Sequence, residues 1–243
     1  MDELSDRQLA LLKAIIEEYI ETAEPVGSET LDKKYNLGVS PATIRNEMVR
    51  LTQMEYLQQP HTSAGRSPTP KALKLFVSSL MQQKELSVSD EVIVKQKIWD
   101  YREELDKLLR EATRALAHQT KTMSLAATDE GDIYTSGVGN ILDMPEFYDI
   151  DRTRNLLDTL DEYDYWWNIF SRHFQDPQGF SVLLGEDLGR QLLQECGGVF
   201  VHFSSSSHQG TIGIVGPARL NFPRVVPLVR YMGNLLTDIM KNL

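Results

Sequence analysis

A single cysteine, Cys196, excludes an intramolecular disulfide framework and fits a reducing cytoplasm. No apolar run approaches the roughly 18 residues needed to cross a bilayer, so no transmembrane helix and no membrane partner are expected. The opening MDELSDRQ is acidic and lacks an apolar core, which argues against a signal peptide. Chemistry is scarce as well. The five histidines, His61, His118, His173, His202 and His208, form no HExxH or His-x-His arrangement, and no CxxC is present. There is no P-loop and no GxGxxG. Cys196 lies beside two glycines without a local nucleophile signature, so a partly buried structural thiol is expected. The acids scatter along helices as solvated faces. These absences predict no catalytic residue, no metal site and no cofactor: the chain is not an enzyme.

What is present is a polar, acidic chain of 243 residues with a net charge of −10, long enough for two ordinary domains. Such a balance argues against a nucleic-acid partner until its distribution is considered. Residues 26–80 hold seven basic residues against four acids, while the segments on either side are strongly acidic. The basic segment surrounds Ser40–Met48, SPATIRNEM.

Ser5 is placed to cap a first helix, with Gln8 as its capping-box partner, and Leu9, Leu12, Ile16, Tyr19 and Ile20 recur at helical spacing up to Pro25. Ser28 is read as the cap of a short second helix that Gly38 stops. Ser40 caps a third, with Pro41 at its first position and Ile44, Met48, Leu51 and Met54 as the buried stripe. Thr43, Arg45, Asn46, Val49 and Arg50 are left facing outward. Two short helices joined through a glycine-containing turn make a helix-turn-helix pattern. YLQQPHTSAGRSPT then reads as a strand and a Ser/Gly/Pro-rich tip, a β-wing. Residues 1–83, with the exit helix TPKALKLFVSSLMQ, are predicted to form a winged helix-turn-helix domain.

Ile98, Tyr101, Leu105, Leu108, Ala112 and Ala115 step by three and four, which predicts one long amphipathic connecting helix over 84–120. From 121 to 243 strands (TMSLAAT, DIYTSG, GFSVLLG, GVFVHFSS, TIGIVGP) mix with helices. The fold class is therefore α+β, with a second domain of sheet and helices.

The third helix is the informative feature. A helix of this kind enters the major groove with its N-terminal residues at base edges. Arg45, Asn46 and Arg50 are expected to read bases, Arg to guanine and Asn to adenine. Ser40, Thr43 and Ser28 join them as DNA-binding candidates, with His61, Thr62, Ser63 and Arg66 on the wing. Lys33, Lys34, Arg66 and Lys71 are expected to neutralise phosphates. The partner is double-stranded DNA.

EPVGS, SPATIRNEM, QPHTSAGR and the following Pro68-Thr69 closely resemble the N-terminal winged helix of the heat-inducible transcription repressor HrcA family. PEF at 145, VLLGE at 182 and GTIGIVGPARLNFPRVVPLVRYM at 210 are similar to its C-terminal part. The resemblance implies a cytoplasmic, nucleoid-associated repressor of chaperone genes. It implies a homodimer on an inverted-repeat operator of the CIRCE type, a GAF-like second domain and assistance by the GroEL chaperonin. One departure is large: the chain passes from DIYTSG almost at once to PEF, so the dimerisation domain that the family inserts is missing and the GAF-like domain is reduced. Ala72–Leu75 also replace the family's usual Gly and Tyr residues. Two other readings are open. One is a small-molecule-gated regulator with a pocket formed by Trp166, Trp167, Phe180 and Phe203, for which ordinary core is the competing account. The other is a protein-interaction module without DNA binding.

Overall fold

A computed structural model describes residues 4–35, 37–82, 85–173, 180–206 and 208–241. Ser207, in the SSSS run, lies outside the described residues. The chain divides into two compact units: Met1–Gln82 with Asn221–Pro223, and Gln83–Leu220 with Arg224–Leu243.

The first unit begins with α1 (Asp6–Thr22), α2 (Ser28–Lys34) and α3 (Pro41–Gln53). The expected capping box opens α1: Gln8 N–H donates to Ser5 Oγ at 3.3 Å and Ser5 N–H to Gln8 Oε1 at 3.0 Å. These bonds satisfy amides that a helix start leaves without partners. Leu12, Ile15 and Ile16 are fully buried, as are Leu31 of α2 and Leu51 of α3. Gly27, not Ser28, is the cap of α2, and Ser28 is its buried first residue. The correction has a cause. Val26 makes a two-bond bridge with Arg66, at 2.8 and 2.9 Å, which aligns the chain so that Ser28 already has helical geometry.

After α3 come β1 (Leu57–Gln58) and β2 (Ser67–Pro68), paired antiparallel. The short α4 (Pro70–Leu75), capped by Thr69, runs into a π-helical turn, Phe76–Leu80.

In the second unit the predicted single connecting helix is two: α5 (Val88–Trp99) and α6 (Leu105–Thr120). The break holds neither glycine nor proline. It is a set of turns in which Tyr101 N–H donates to Ile98 O and Glu104 N–H to Tyr101 O, with Glu104 extended. Packing drives it. Val94 and Ile98 of α5 are buried, as are Leu108, Leu109, Ala112, Ala115 and Leu116 of α6, and the two helices pack together. A continuous helix would hold these stripes apart in water; reversal buries both.

The sheet comprises β3 (Met123–Thr128), β4 (Ile133–Ser136), β5 (Phe180–Leu184), β6 (Cys196–Ser204) and β7 (Gln209–Pro217). Its order is β4-β3-β7-β6-β5, with every neighbour antiparallel. Three further helices accompany it: α7 (Ile150–Asp158), α8 (Tyr163–His173) and α9 (Phe222–Met240). The architecture is the expected mixture of helix and sheet, and the sheet is antiparallel throughout.

Alternation along the strands sorts residues onto two faces. On one, Phe200, Leu125, Leu183 and Val215 pack with Leu156 of α7 and with Trp166 and Phe170 of α8. The Phe200 ring lies flat over Gly198 and Gly213, where a Cβ would sit 2.4 and 2.5 Å from it. On the other face, Val201 meets α9 so closely that a Cβ on Gly233 would lie 2.4 Å from its methyl. Cys196 is fully buried, and burial pushes its thiol pKa up to about 12, which leaves it protonated and inert.

Candidate nucleic-acid interface

The outer face of α3 is built by its own cap. Ser40 is extended and its Oγ accepts from Thr43 N–H at 3.3 Å, which starts the helix at Pro41. Ile44, Glu47, Met48 and Leu51 then point inward, and Arg45, Asn46, Val49 and Arg50 are exposed. Arg45 and Val49 are four residues apart, as are Asn46 and Arg50, so each pair stacks along one face.

Beside this face runs a groove of about 500 Å³. Arg45, Met48 and Val49 of α3 line one side, Val26, Gly27 and Ser28 another, and Gln59 with Thr62–Arg66 of the β1–β2 loop the third. The loop is ordered from within. Gln59 Nε2 donates to Thr62 O at 2.9 Å and Ala64 O at 3.0 Å, and Ala64 N–H donates to His61 O at 2.9 Å. His61 Nδ1 and Ser63 Oγ lie 3.2 Å apart. His61, Thr62 and Ser63 are exposed at the tip. Gly65 passes so near the α1–α2 connection that a Cβ there would lie 2.4 Å from Val26 O.

The expected basic residues do not act alike. Lys33 and Arg45 are exposed and have no ion-pair partner among the described residues. Lys34, expected to neutralise phosphate, instead binds Glu18 at 2.7 Å and Glu21 at 2.6 Å. Its pKa is raised, first by the bond to Glu18 and then by that to Glu21. Glu18 is buried and also accepts from Tyr35 Oη–H at 3.1 Å, so Lys34 ties α2 to α1. Arg66 sits at the base of the loop, not its tip: Nε donates to Thr52 Oγ1 at 3.2 Å. Lys71 donates to Met54 O at 2.9 Å, capping the end of α3, with its ammonium over the Tyr56 ring. Arg50 shares buried Glu47 with Arg7, which approaches the carboxylate to 2.6 Å; Gln8 Nε2 donates to its other oxygen at 3.1 Å. Sequence reasoning passed over Glu47 and Gln59. A carboxylate at a core-facing position, one residue before Met48, was the available sign for Glu47.

If this face binds a polyanion, the two neighbouring lysines separate cleanly. Lys33→Ala should reduce the slope of log K against log salt by about 0.9 per protomer, the effect of one lost phosphate contact. Lys34→Ala should leave that slope unchanged and lower the melting temperature instead, because it frees two carboxylates, one of them buried. Fluorescence anisotropy at several salt concentrations separates the two. Equal slopes for both variants would place the polyanion elsewhere.

The four aromatic residues of the small-molecule reading do not line one pocket. Trp166 packs with Phe200 on one face of the sheet, whereas Phe180 pairs with Val201 and Phe203 has the same parity on the other. Trp167 packs at the edge of the first cluster. Trp166 and Phe203 are buried core. Among the described residues, no group of three or more His, Cys, Asp and Glu could hold a metal ion, and no helix is long and apolar enough to cross a membrane.

A family model described as the HrcA protein C-terminal domain matches residues 44–226. The chain is 28% identical to the heat-inducible transcription repressor HrcA of Desulforamulus reducens, over 96% of each chain. It is 25% identical to the protein of that name from Syntrophobacter fumaroxidans, over 100% of this chain and 99% of the other. The first alignment spans 335 positions against 243 residues here, so at least 92 of its positions face gaps in this chain. A solved structure described as a hypothetical protein covers 99% of both chains with a TM-score of 0.78 at 18% identity, which shows a shared fold.

Proposed function

The chain belongs to the HrcA family of heat-inducible transcription repressors, and from that premise we propose that it represses heat-shock genes by binding an inverted-repeat operator as a dimer. In this reading the first unit is a winged helix-turn-helix and the second a reduced GAF-like domain. The observation that carries it is the outer face of α3, where Arg45, Asn46 and Val49 are exposed beside the groove and Arg45 has no ion-pair partner among the described residues.

The mechanism follows from groove dimensions. A major groove about 12 Å wide admits α3. Arg45 can then donate both guanidinium arms to guanine O6 and N7, Asn46 can pair with adenine, and Val49 can meet a thymine methyl. Arg50, held by Glu47, stands one turn further along the same row. Ser40, Thr43 and Lys33 face the backbone, and the tip residues His61, Thr62 and Ser63 reach the flanking strand. Lys34, Arg66 and Lys71 position the helix and wing without taking a phosphate each. Two copies across a twofold axis would engage half-sites about 34 Å apart or a multiple of it, and occupancy of the promoter would exclude polymerase. The relatives are named transcription repressors.

Fluorescence-anisotropy titration tests this at fixed salt with two duplexes, the family's inverted repeat and a scrambled control. A preference for the repeat of at least about a thousandfold is expected, fading on warming. Equal affinity for both duplexes would remove the sequence-specific reading and leave a non-specific or protein-binding module.

A further inference from the structure

Among the described residues, α5 leaves more large apolar side chains uncovered than any other helix. Val88 is 76% exposed, Val92 46% and Trp99 42%. With Lys95 between them they step by four, three and four, the spacing of a stripe that packs along a second helix. This stripe is separate from the buried one, Val94 and Ile98, which is already taken up by packing with α6. At its C-terminal end a groove of about 500 Å³ opens between α5 and α9, with Lys95 and Trp99 on one side and Leu235 and Ile239 on the other.

Charge along α5 is divided. Residues 88–93 carry Asp90 and Glu91, and residues 94–99 carry Lys95 and Lys97. Acids first and bases last suit the helix's own dipole. Here the division also coincides with an uncovered apolar stripe, which the dipole does not explain. A copy laid parallel would set Lys95 against Lys95. A copy laid antiparallel sets the acidic half of each helix against the basic half of the other.

We infer that α5 is a docking surface for α5 of a second copy of this chain, packed antiparallel across a twofold axis. Val88 of each copy meets Trp99 of the other. Val92 meets the methylene stem of Lys95, whose ammonium reaches Glu91. The contact is isologous, the same patch on both copies, as a closed dimer requires. It rests on the proposed twofold operator reading and supplies the twofold in a chain that lacks at least 92 of the positions aligned in its longer relative.

The test is a charge-reversal cycle on the full chain, read by sedimentation velocity without DNA. Lys95→Glu and Glu91→Lys should each raise the dimer dissociation constant by about tenfold or more, since each acts twice per dimer and sets like charges together. The double variant should return to within about threefold of the parent. Lys95 is exposed and Glu91 half-buried, its carbonyl accepting from Tyr231 Oη–H of α9 at 3.3 Å, and thermal melts followed by circular dichroism check that each variant folds. Three results overturn the surface: a chain that stays monomeric, single variants that dimerise like the parent, or a double variant no better than the singles. Failure of the operator reading is separate. It would leave this cycle intact and abolish only the preference in the DNA titration.

Discussion

Trp166→Ala lowers the unfolding free energy by about 3–5 kcal/mol, a large part of the 5–15 kcal/mol that holds a typical domain folded. The ring is fully buried at the centre of the α7–α8 layer. Its centroid lies 5.2 Å from Tyr165, 5.8 Å from Phe170 and 5.9 Å from Phe200. Truncation removes its transfer free energy and leaves a cavity walled by Phe200, which cannot drop further because it already lies on Gly198 and Gly213. A second loss is polar. Trp166 Nε1–H donates to Thr159 O at 3.0 Å, and Thr159 is itself fully buried. Trp166→Phe should recover about half of the loss, because it refills most of the space but leaves that carbonyl without its donor. Urea unfolding followed by far-UV circular dichroism measures both variants. A loss under about 1 kcal/mol for the alanine variant would mean that Trp166 borders an adaptable pocket instead of packed core, and would revive the ligand-gated reading.

Arg45→Ala weakens operator binding by about 1–3 kcal/mol while leaving affinity for scrambled duplex within about threefold. The asymmetry follows from the position of Arg45. Its side chain is exposed on the groove-lining face of α3 and has no ion-pair partner among the described residues, so truncation should hardly affect folding. A bidentate contact to one guanine is specific to the correct base, whereas a phosphate contact is shared by all sequences. Competition titrations against single-base operator variants locate the base: the alanine variant should lose discrimination at one position of each half-site and keep it elsewhere. If Arg45→Ala instead weakened both duplexes equally, Arg45 would be a phosphate ligand, and Asn46 and Arg50 would carry base recognition. Arg50→Ala provides the comparison. It also releases one partner of buried Glu47, so a small loss of stability accompanies any loss of affinity.

The local signals were readable because each is chemically self-contained. Ser5 with Gln8 and Ser40 with Pro41 start helices through bonds that span three residues. Asp-Glu-Gly at 129–131 turns β3 into β4 because Gly131 takes a φ of +100°. The stripe Ile44, Met48 and Leu51 determined which face of α3 is buried, and by subtraction which face is presented.

Charge was less legible. Composition counted seven cations around α3 as equivalent, but a count has no partners in it. Lys34 is taken up by Glu18 and Glu21, sixteen and thirteen residues earlier in α1, and Lys71 by a carbonyl seventeen residues earlier.

From the sequence alone came the composition of the elements, their helical or strand character, the identity of the α3 face and the family resemblance, since all rest on neighbours within a few residues. Only the tertiary structure decided the rest. It broke the connecting helix after Trp99, where two apolar stripes gain more by burial against each other than by staying in line. It paired Val26 with Arg66, forty residues on, and so closed the groove beside α3. It put Trp166 and Phe203 on opposite faces of one sheet. The physical reason is common to all three: burial and hydrogen-bond satisfaction are summed over the whole chain, and residues that meet only after folding leave no local mark.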